Sequence, residues 1–70
     1  MADSVYKVVE IVGTSEKSWD DAARVAVERA SQTLDDLRIA EVSAQDVRIE
    51  NGKIAEYRTR LRLSFKFRGE

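Results

Sequence analysis

The 70-residue sequence contains neither cysteine nor histidine. Without cysteine the chain forms no disulfide bonds. Without either residue type it lacks the usual ligands of zinc and haem, and also the usual side chains of nucleophile–base catalysis. Any metal that binds is therefore expected to be a hard cation held by oxygen atoms.

Long apolar runs are also missing from the sequence. No stretch approaches the roughly 20 apolar residues that a membrane span requires. Residues 1–11 lack the basic start and apolar centre of a signal peptide. We therefore expect a cytoplasmic protein that makes no contact with a membrane.

The small size of the chain limits its hydrophobic core. A chain of this length buries only about 60% of the surface that its unfolded form exposes, so small domains usually need a disulfide, a metal or a partner chain. Since disulfides are excluded, we expect oligomerisation. The net charge is −1, made up of −4 over residues 1–37 and +3 over residues 38–70.

The first half of the chain predicts a strand followed by a helix. Residues 4–12 are rich in valine and isoleucine and predict a strand with apolar side chains on both faces. Gly-Thr-Ser at residues 13–15 predicts the end of that strand. Ser18 and Asp21 match a helix capping box, and apolar or small residues then recur with a period of 3.6. This pattern predicts a helix over 18–37.

The second half predicts a β-hairpin. Residues 39–50 read as a strand whose apolar phase shifts near Gln45–Asp46, which indicates a bulge. Asn51–Gly52 is typical of a type I′ turn, and residues 55–68 alternate strictly between apolar and polar. The sequence therefore predicts an α+β fold of order β-α-β-β in one domain, residues 1–70, with a three-stranded antiparallel sheet.

The predicted lengths of the third strand and the helix do not match. A strand over residues 55–68 spans about 47 Å, whereas a helix of about 19 residues spans about 28 Å. The sheet must therefore curl around the helix, and the remaining apolar surface requires another chain. These features favour a homo-oligomer.

Catalytic side-chain arrangements are nearly absent. The carboxylate pairs Asp20–Asp21 and Asp35–Asp36 are adjacent in sequence, so on a helix they point about 100° apart and do not converge as an acid–base pair. Residues 13–15 are read as a strand-to-helix turn or, less favoured, as a phosphate-binding loop. Trp19 is read as a packing or subunit-contact residue or, less favoured, as a stacking platform. We do not expect an enzyme.

The basic third strand allows two interpretations. One is an interface with nucleic acid. The other, which we favour, is ion pairing with acidic residues of neighbouring strands or subunits, because the strand lacks the exposed aromatic residues that single-strand binders interleave with basic ones. The basic residues are Arg58, Arg60 and Arg62, and the expected partners are Glu10, Glu41 and Glu56.

Four segments of the sequence together resemble the dodecins. They are VYKVVEIVGTS at residues 5–15, ERASQTL at residues 28–34, NGKIAEY at residues 51–57 and FKF at residues 65–67. The resemblance runs without an obvious gap over almost the whole chain. It implies a β-α-β-β subunit whose sheet wraps its helix, a hollow shell of twelve subunits, and a non-enzymatic role in binding and storing flavins.

The chain departs from the flavin-binding dodecins at the flavin contacts. Those proteins carry L-R-W-F-E after the helix, and their tryptophan stacks on the flavin ring. Here Ile39 occupies the tryptophan position, Arg58 the position of a glutamine that binds the ring edge, and Asp46 the position of an arginine, followed by Val47 instead of glycine. The resemblance therefore implies that flavin binding (FMN or riboflavin) is weak or lost, and we expect Arg58 to reach a carboxylate such as Glu41 or Asp46.

Other family positions keep their character. The resemblance implies that Lys7, Arg29 and Lys66 remain available for a phosphate or a coenzyme A tail, and Phe65 also matches. DDLRIAEV at residues 35–42, with Ser-Trp at the helix start, is more similar to the calcium dodecins, which lack the flavin tryptophan. That similarity implies a cation site with calcium as the candidate ion, although the sequence does not identify its ligands.

The sequence analysis leaves three function classes. The first is a homododecameric small-ligand binding and storage protein with an altered or lost flavin site. The alternative is a calcium-binding shell of the same architecture, and the third and least favoured is a nucleic-acid binder. The expected partner is the chain itself, with a small-molecule ligand as a second candidate.

Overall fold

The computed structural model describes residues 4–67 and contains one helix and three strands. The strands are β1 (Tyr6–Ser15), β2 (Leu37–Glu50) and β3 (Lys53–Lys66), and the helix is α1 (Trp19–Ala30). The sheet is antiparallel in the order β1-β3-β2, which confirms the predicted β-α-β-β fold. Within the described residues, α1 is too short and too polar to cross a lipid bilayer.

The start of α1 follows the capping pattern of the sequence. The Ser18 hydroxyl accepts a hydrogen bond from the backbone N–H of Asp21 at 2.9 Å. The Ser15 hydroxyl donates to the Asp21 carboxylate at 2.7 Å, which links the end of β1 to the first turn of the helix. The negative charges of Asp20 and Asp21 in this first turn also stabilise the helix, because they lie near the positive end of its dipole.

The helix is shorter than the predicted range 18–37, because it ends at Ala30. The Ser31 hydroxyl donates to the carbonyls of Val27 and Glu28, and the next two backbone N–H groups bond three residues back. These contacts satisfy the last carbonyls of the helix and tighten its final turn. Leu34 and Leu37, the last two residues of the predicted apolar helix face, nevertheless pack against the core.

The strands also differ in detail from the prediction. The range 13–15 does not end β1, because Gly13 and Ser15 pair with Thr59 and Tyr57 of β3. The register of β2 shifts between Val42 and Ala44, slightly before the predicted bulge, and again at each end of the strand. The hairpin is as predicted, with positive φ at both Asn51 (52°) and Gly52 (74°).

The core lies between α1 and one face of β3. Leu61 and Leu63 are each 1% exposed and Thr59 is fully buried, which confirms the predicted alternation of β3. On the helix, Ala22 and Ala26 face this layer. Their small side chains allow the helix to lie close to the sheet.

The helix covers the β1 side of the sheet more than the β2 side. In the edge strand β2, Val42 is 49% exposed although it is the cross-strand partner of the buried Leu61. One helix therefore leaves part of the apolar inner face uncovered.

Candidate functional site

The face of the sheet opposite α1, called here the open face, carries most of the candidate residues. Its central column consists of the alternate β3 side chains Arg58, Arg60, Arg62 and Ser64. Antiparallel pairing places a residue of each edge strand beside each of them. The strand register therefore fixes which three residues, one from each strand, lie side by side on the open face, and each such set of three is called here a row.

Arg58 and Asp46 form a bidentate ion pair in one of these rows. The Arg58 Nε donates to Asp46 Oδ1 at 2.7 Å, and a terminal guanidinium nitrogen donates to Oδ2 at 3.2 Å. The hydrogen bond lowers the pKa of the Asp46 carboxyl and raises the pKa of Arg58, because it stabilises both charged forms. The expected pairing of Arg58 with a carboxylate is confirmed, with Asp46 as the partner.

The backbone of Asp46 also connects the hairpin to the helix. The Trp19 indole N–H donates to the Asp46 carbonyl at 2.9 Å, and the Trp19 carbonyl accepts from the Thr59 hydroxyl at 2.9 Å. The Trp19 ring meets Tyr57 edge to face, with centroids 5.0 Å apart. Trp19 is therefore a packing residue, as favoured from the sequence, and it supports the segment that holds the Arg58–Asp46 pair.

The other predicted ion pairs form only in part. Arg62 approaches Glu10 at 3.8 Å, whereas Glu56 binds Arg48 at 3.1 Å rather than an arginine of β3. Within residues 4–67, neither Arg60 nor Glu41 takes part in an ion pair. Exposed pairs of this kind contribute only about 0–1 kcal/mol each.

Ile39 lies at the other end of the open face, in the row that contains Val8 and Ser64. Its side chain is 63% exposed. It also borders an open cavity of about 210 Å³, whose apolar walls include Val27 and Leu63. Ile39 pairs with Ser64, which is six residues, or roughly 20 Å, from Arg58 along β3. Within one chain, Ile39 therefore lies far from the Arg58–Asp46 pair.

The family positions with retained character are divided between two places. Lys7 pairs with Phe65 in the sheet, and Phe65 and Lys66 line a cavity of about 250 Å³ at the end of the molecule. Arg29 instead lines a different cavity, between β1 and α1. The two cavities adjoin each other, because Thr33 and Leu34 line both of them.

Carboxylates are spread over the surface of the subunit. Within residues 4–67, no three acidic side chains lie close enough together to hold a metal ion. The register explains part of this, because Glu10 and Glu41 lie on opposite sides of Arg62 in the sheet.

The Arg58–Asp46 pair predicts a pH dependence of stability. The pKa of Asp46 in the folded chain lies below its unfolded value of about 3.9, so the stabilisation is present above that value and is lost as pH falls through the lower, folded-state pKa. As pH falls from about 5 to below the unfolded value of 3.9, the free energy of unfolding should therefore decrease more in the native chain than in Asp46→Asn. Urea unfolding followed by circular dichroism at one protein concentration measures this, and equal slopes would contradict it.

Comparisons with known proteins agree with the fold. The family model described as Dodecin matches residues 5–68. Calcium dodecin of Mycobacterium tuberculosis is 48% identical over 65 residues, which cover 93% of this chain and 92% of that protein. Dodecin of Thermus thermophilus is 39% identical over 62 residues, which cover 89% of this chain and 90% of that protein.

Solved structures show the same similarity. Dodecin from Streptomyces coelicolor superposes with a TM-score of 0.92 at 41% identity, over 100% of both chains. The crystal structure of calcium dodecin from Mycobacterium tuberculosis, described as having a novel calcium-binding site, has a TM-score of 0.83 at 46% identity, over 96% of both chains.

Proposed function

Since this chain belongs to the dodecin family, we propose that it is a non-enzymatic cytoplasmic protein that assembles into a shell of twelve subunits. We further propose that it binds flavins weakly or not at all. The observation that supports the loss of flavin binding is the Arg58–Asp46 ion pair. It occupies two of the positions at which the flavin-binding members have their contacts.

The chemistry of these positions disfavours a flavin. A flavin ring edge offers both donors and acceptors, whereas an arginine only donates. The Arg58 guanidinium is moreover already occupied by the Asp46 carboxylate, so binding the ring edge would require that charge-assisted pair to open. At the stacking position, the aliphatic Ile39 has no aromatic face to offer.

Riboflavin titration tests the loss of flavin binding. We expect no quenching of riboflavin fluorescence at micromolar concentrations of the native protein, because both the stacking face and the two-way hydrogen-bonding group are missing. A tryptophan-bearing dodecin serves as the positive control. Sub-micromolar binding by the native chain would show that this interpretation of Ile39 and Arg58 is wrong.

Native mass spectrometry tests the assembly. We expect a particle of about 95 kDa, which is twelve times the 7.9 kDa subunit. A folded monomer at micromolar concentration would contradict the proposed shell.

A second candidate function is cation binding. It is favoured by the identity of 48% with a relative named calcium dodecin and by the structural match to a calcium dodecin with a calcium-binding site. Since no three carboxylates cluster within residues 4–67 of one subunit, we propose that carboxylates of different subunits hold the ion together.

Thermal unfolding after treatment with a chelator tests the cation. At a calcium concentration about 100 times its dissociation constant, binding stabilises the folded state by about 2.7 kcal/mol. For a domain of this size that corresponds to a rise in Tm of roughly 10–20 °C. Magnesium at equal concentration is the control, and the absence of a rise with calcium, or an equal rise with both ions, would contradict a calcium site.

A further inference from the structure

The turn of the β2–β3 hairpin contains the one asparagine of the sequence, Asn51, and Gly52 follows it directly. Both residues are exposed, and both have positive φ. Glu50 and Lys53, on either side of them, form the last cross-strand pair of the hairpin. The Asn51 amide therefore lies at the surface, next to the backbone nitrogen of a residue that has no side chain.

Neither the Asn51 amide nor the Gly52 nitrogen is held by another group of the described chain. Within residues 4–67, the Asn51 side chain forms no hydrogen bond and the Gly52 backbone N–H has no acceptor. Apart from its chain neighbours, nothing lies within 4 Å of a Cβ built on Gly52. A ring that joins these two residues would therefore meet no steric obstacle.

Only two strands form this end of the sheet. Strand β1 ends opposite Tyr57, so residues 48–56, called here the hairpin tip, have no third strand beside them. Two-stranded hairpins are marginally stable in water, and segments with few buried contacts open locally at small cost. The ion pairs of Arg48 with Glu56 at 3.1 Å and with Glu50 at 2.8 Å oppose that opening. The turn can therefore leave its native dihedral angles while the core stays folded.

We propose that Asn51 is a site of spontaneous covalent modification, at which asparagine converts to isoaspartate and aspartate through a succinimide. When the turn opens, the Gly52 nitrogen gives its proton to hydroxide and attacks Cγ of Asn51. The bond between Cγ and Nδ2 breaks, and the leaving nitrogen takes a proton from water. Ammonia departs, hydroxide is regenerated, and a five-membered ring remains. Glycine favours this step because it has no Cβ to obstruct the attacking nitrogen.

One water molecule then opens the ring. Addition of water at Cγ breaks the newly formed bond to nitrogen and gives aspartate. Addition at the backbone carbonyl carbon of Asn51 breaks the original peptide bond and gives isoaspartate. The net reaction consumes one water and releases one ammonia, and it needs no oxidant or reductant. It involves atoms of one chain only, so it does not depend on the proposed shell.

The two products affect the hairpin differently. Aspartate leaves the main chain unchanged, and Asp-Gly is also typical of a type I′ turn. Isoaspartate adds one main-chain carbon to a turn of two residues, so Glu50 and Lys53 lose their register. Isoaspartate at position 51 therefore opens the hairpin tip, whereas the buried Leu61 and Leu63 keep their packing.

Mass spectrometry of the purified protein, incubated at mildly alkaline pH, tests the modification. Trypsin cleaves after Arg48 and Lys53 and releases residues 49–53, which contain the single asparagine. We expect this peptide to gain the mass difference between an amide and an acid, and chromatography against synthetic peptides identifies isoaspartate. The native chain should convert at no less than a tenth of the rate of the same chain in guanidinium chloride. A lower rate would overturn the proposal, since the fold would then protect Asn51.

Two variants test the succinimide route. Asn51→Gln keeps the amide, but its longer side chain would have to close a six-membered ring, so it should show no conversion over the same period. Gly52→Ala keeps the asparagine and adds a Cβ beside the attacking nitrogen, so it should react at least fivefold more slowly. Equal conversion of Gly52→Ala and the native chain would exclude attack by the backbone nitrogen.

A further variant tests the role of hairpin opening. Arg48→Gln removes both ion pairs of the hairpin tip and should raise the conversion rate about two- to fivefold. Arg60→Gln removes an equal charge from outside the hairpin tip and is the matched control. If Arg48→Gln reacts no faster than Arg60→Gln, the proposed reaction from an opened turn is wrong.

Hydrogen exchange tests the effect on the hairpin. The amides of residues 48–56 should exchange at least tenfold faster in the isolated isoaspartyl form than in the native chain, while exchange at Leu61 and Leu63 is unchanged. Asn51→Asp has the new charge without the extra main-chain carbon and should exchange like the native chain. Equal exchange in the isoaspartyl form and in Asn51→Asp would contradict the proposed opening of the hairpin tip.

Discussion

Replacing Gly13 with alanine should destabilise the subunit by about 3 kcal/mol or more and lower its Tm by roughly 12–24 °C. A methyl group at this position would overlap the backbone carbonyl oxygen of Ala22 and lie 2.8 Å from the Cβ of Ala26. Because the first obstacle is helix backbone rather than a mobile side chain, α1 would have to move away from β1. Thermal and urea unfolding of Gly13→Ala measure the loss.

Gly52→Ala is the matched control for this prediction. Nothing lies within 4 Å of a Cβ added at Gly52, but its φ of +74° strains an L-residue. That strain costs about 1–2 kcal/mol, so the control should lose less stability than Gly13→Ala. If the two variants lose equal stability, the close approach of α1 to β1 does not explain the need for Gly13.

The double change Ile39→Trp with Arg58→Gln should raise riboflavin affinity between about tenfold and a hundredfold. Stacking of a flat ring on an aromatic side chain is worth about 1–3 kcal/mol per ring. The glutamine both donates and accepts hydrogen bonds, and it also releases Asp46 from its ion pair. Quenching of riboflavin fluorescence measures the gain.

Single variants separate the two contributions. Ile39→Trp alone should gain less than the double change, since the Arg58–Asp46 pair remains closed. Ile39→Leu keeps an aliphatic side chain and should gain nothing. If the double change binds no better than Ile39→Leu, the two positions do not limit flavin binding in this chain.

Part of the candidate site was predictable because it depends on local pattern. The strict alternation of β3 separated Arg58, Arg60 and Arg62 from Leu61 and Leu63, and the structure places these two sets on opposite faces. The choice of Asp46 over Glu41 as partner of Arg58 depends on the register, because Glu41 pairs beside Arg62. Both were named as candidates, and the structure selects Asp46.

The link between Trp19 and Asp46 was not predicted. The two residues are 27 positions apart, and neither the helix period nor the strand alternation specifies which residue meets an indole N–H. The end of α1 was wrong for a related reason. The apolar period continues through Leu34 and Leu37, but these residues reach the core from a turn and from the start of β2 rather than from a helix.

Patterns along the chain were enough to predict the order of the elements, the hairpin turn at Asn51–Gly52, the two faces of β3 and the membership of the chain in the dodecin family. These depend on short-range spacing, since side chains alternate every two residues in a strand and a turn is set by its own dihedral angles. The need for glycine at position 13 becomes visible only in the folded chain. There the reason is the distance between a strand and a helix, which pattern along the chain does not contain.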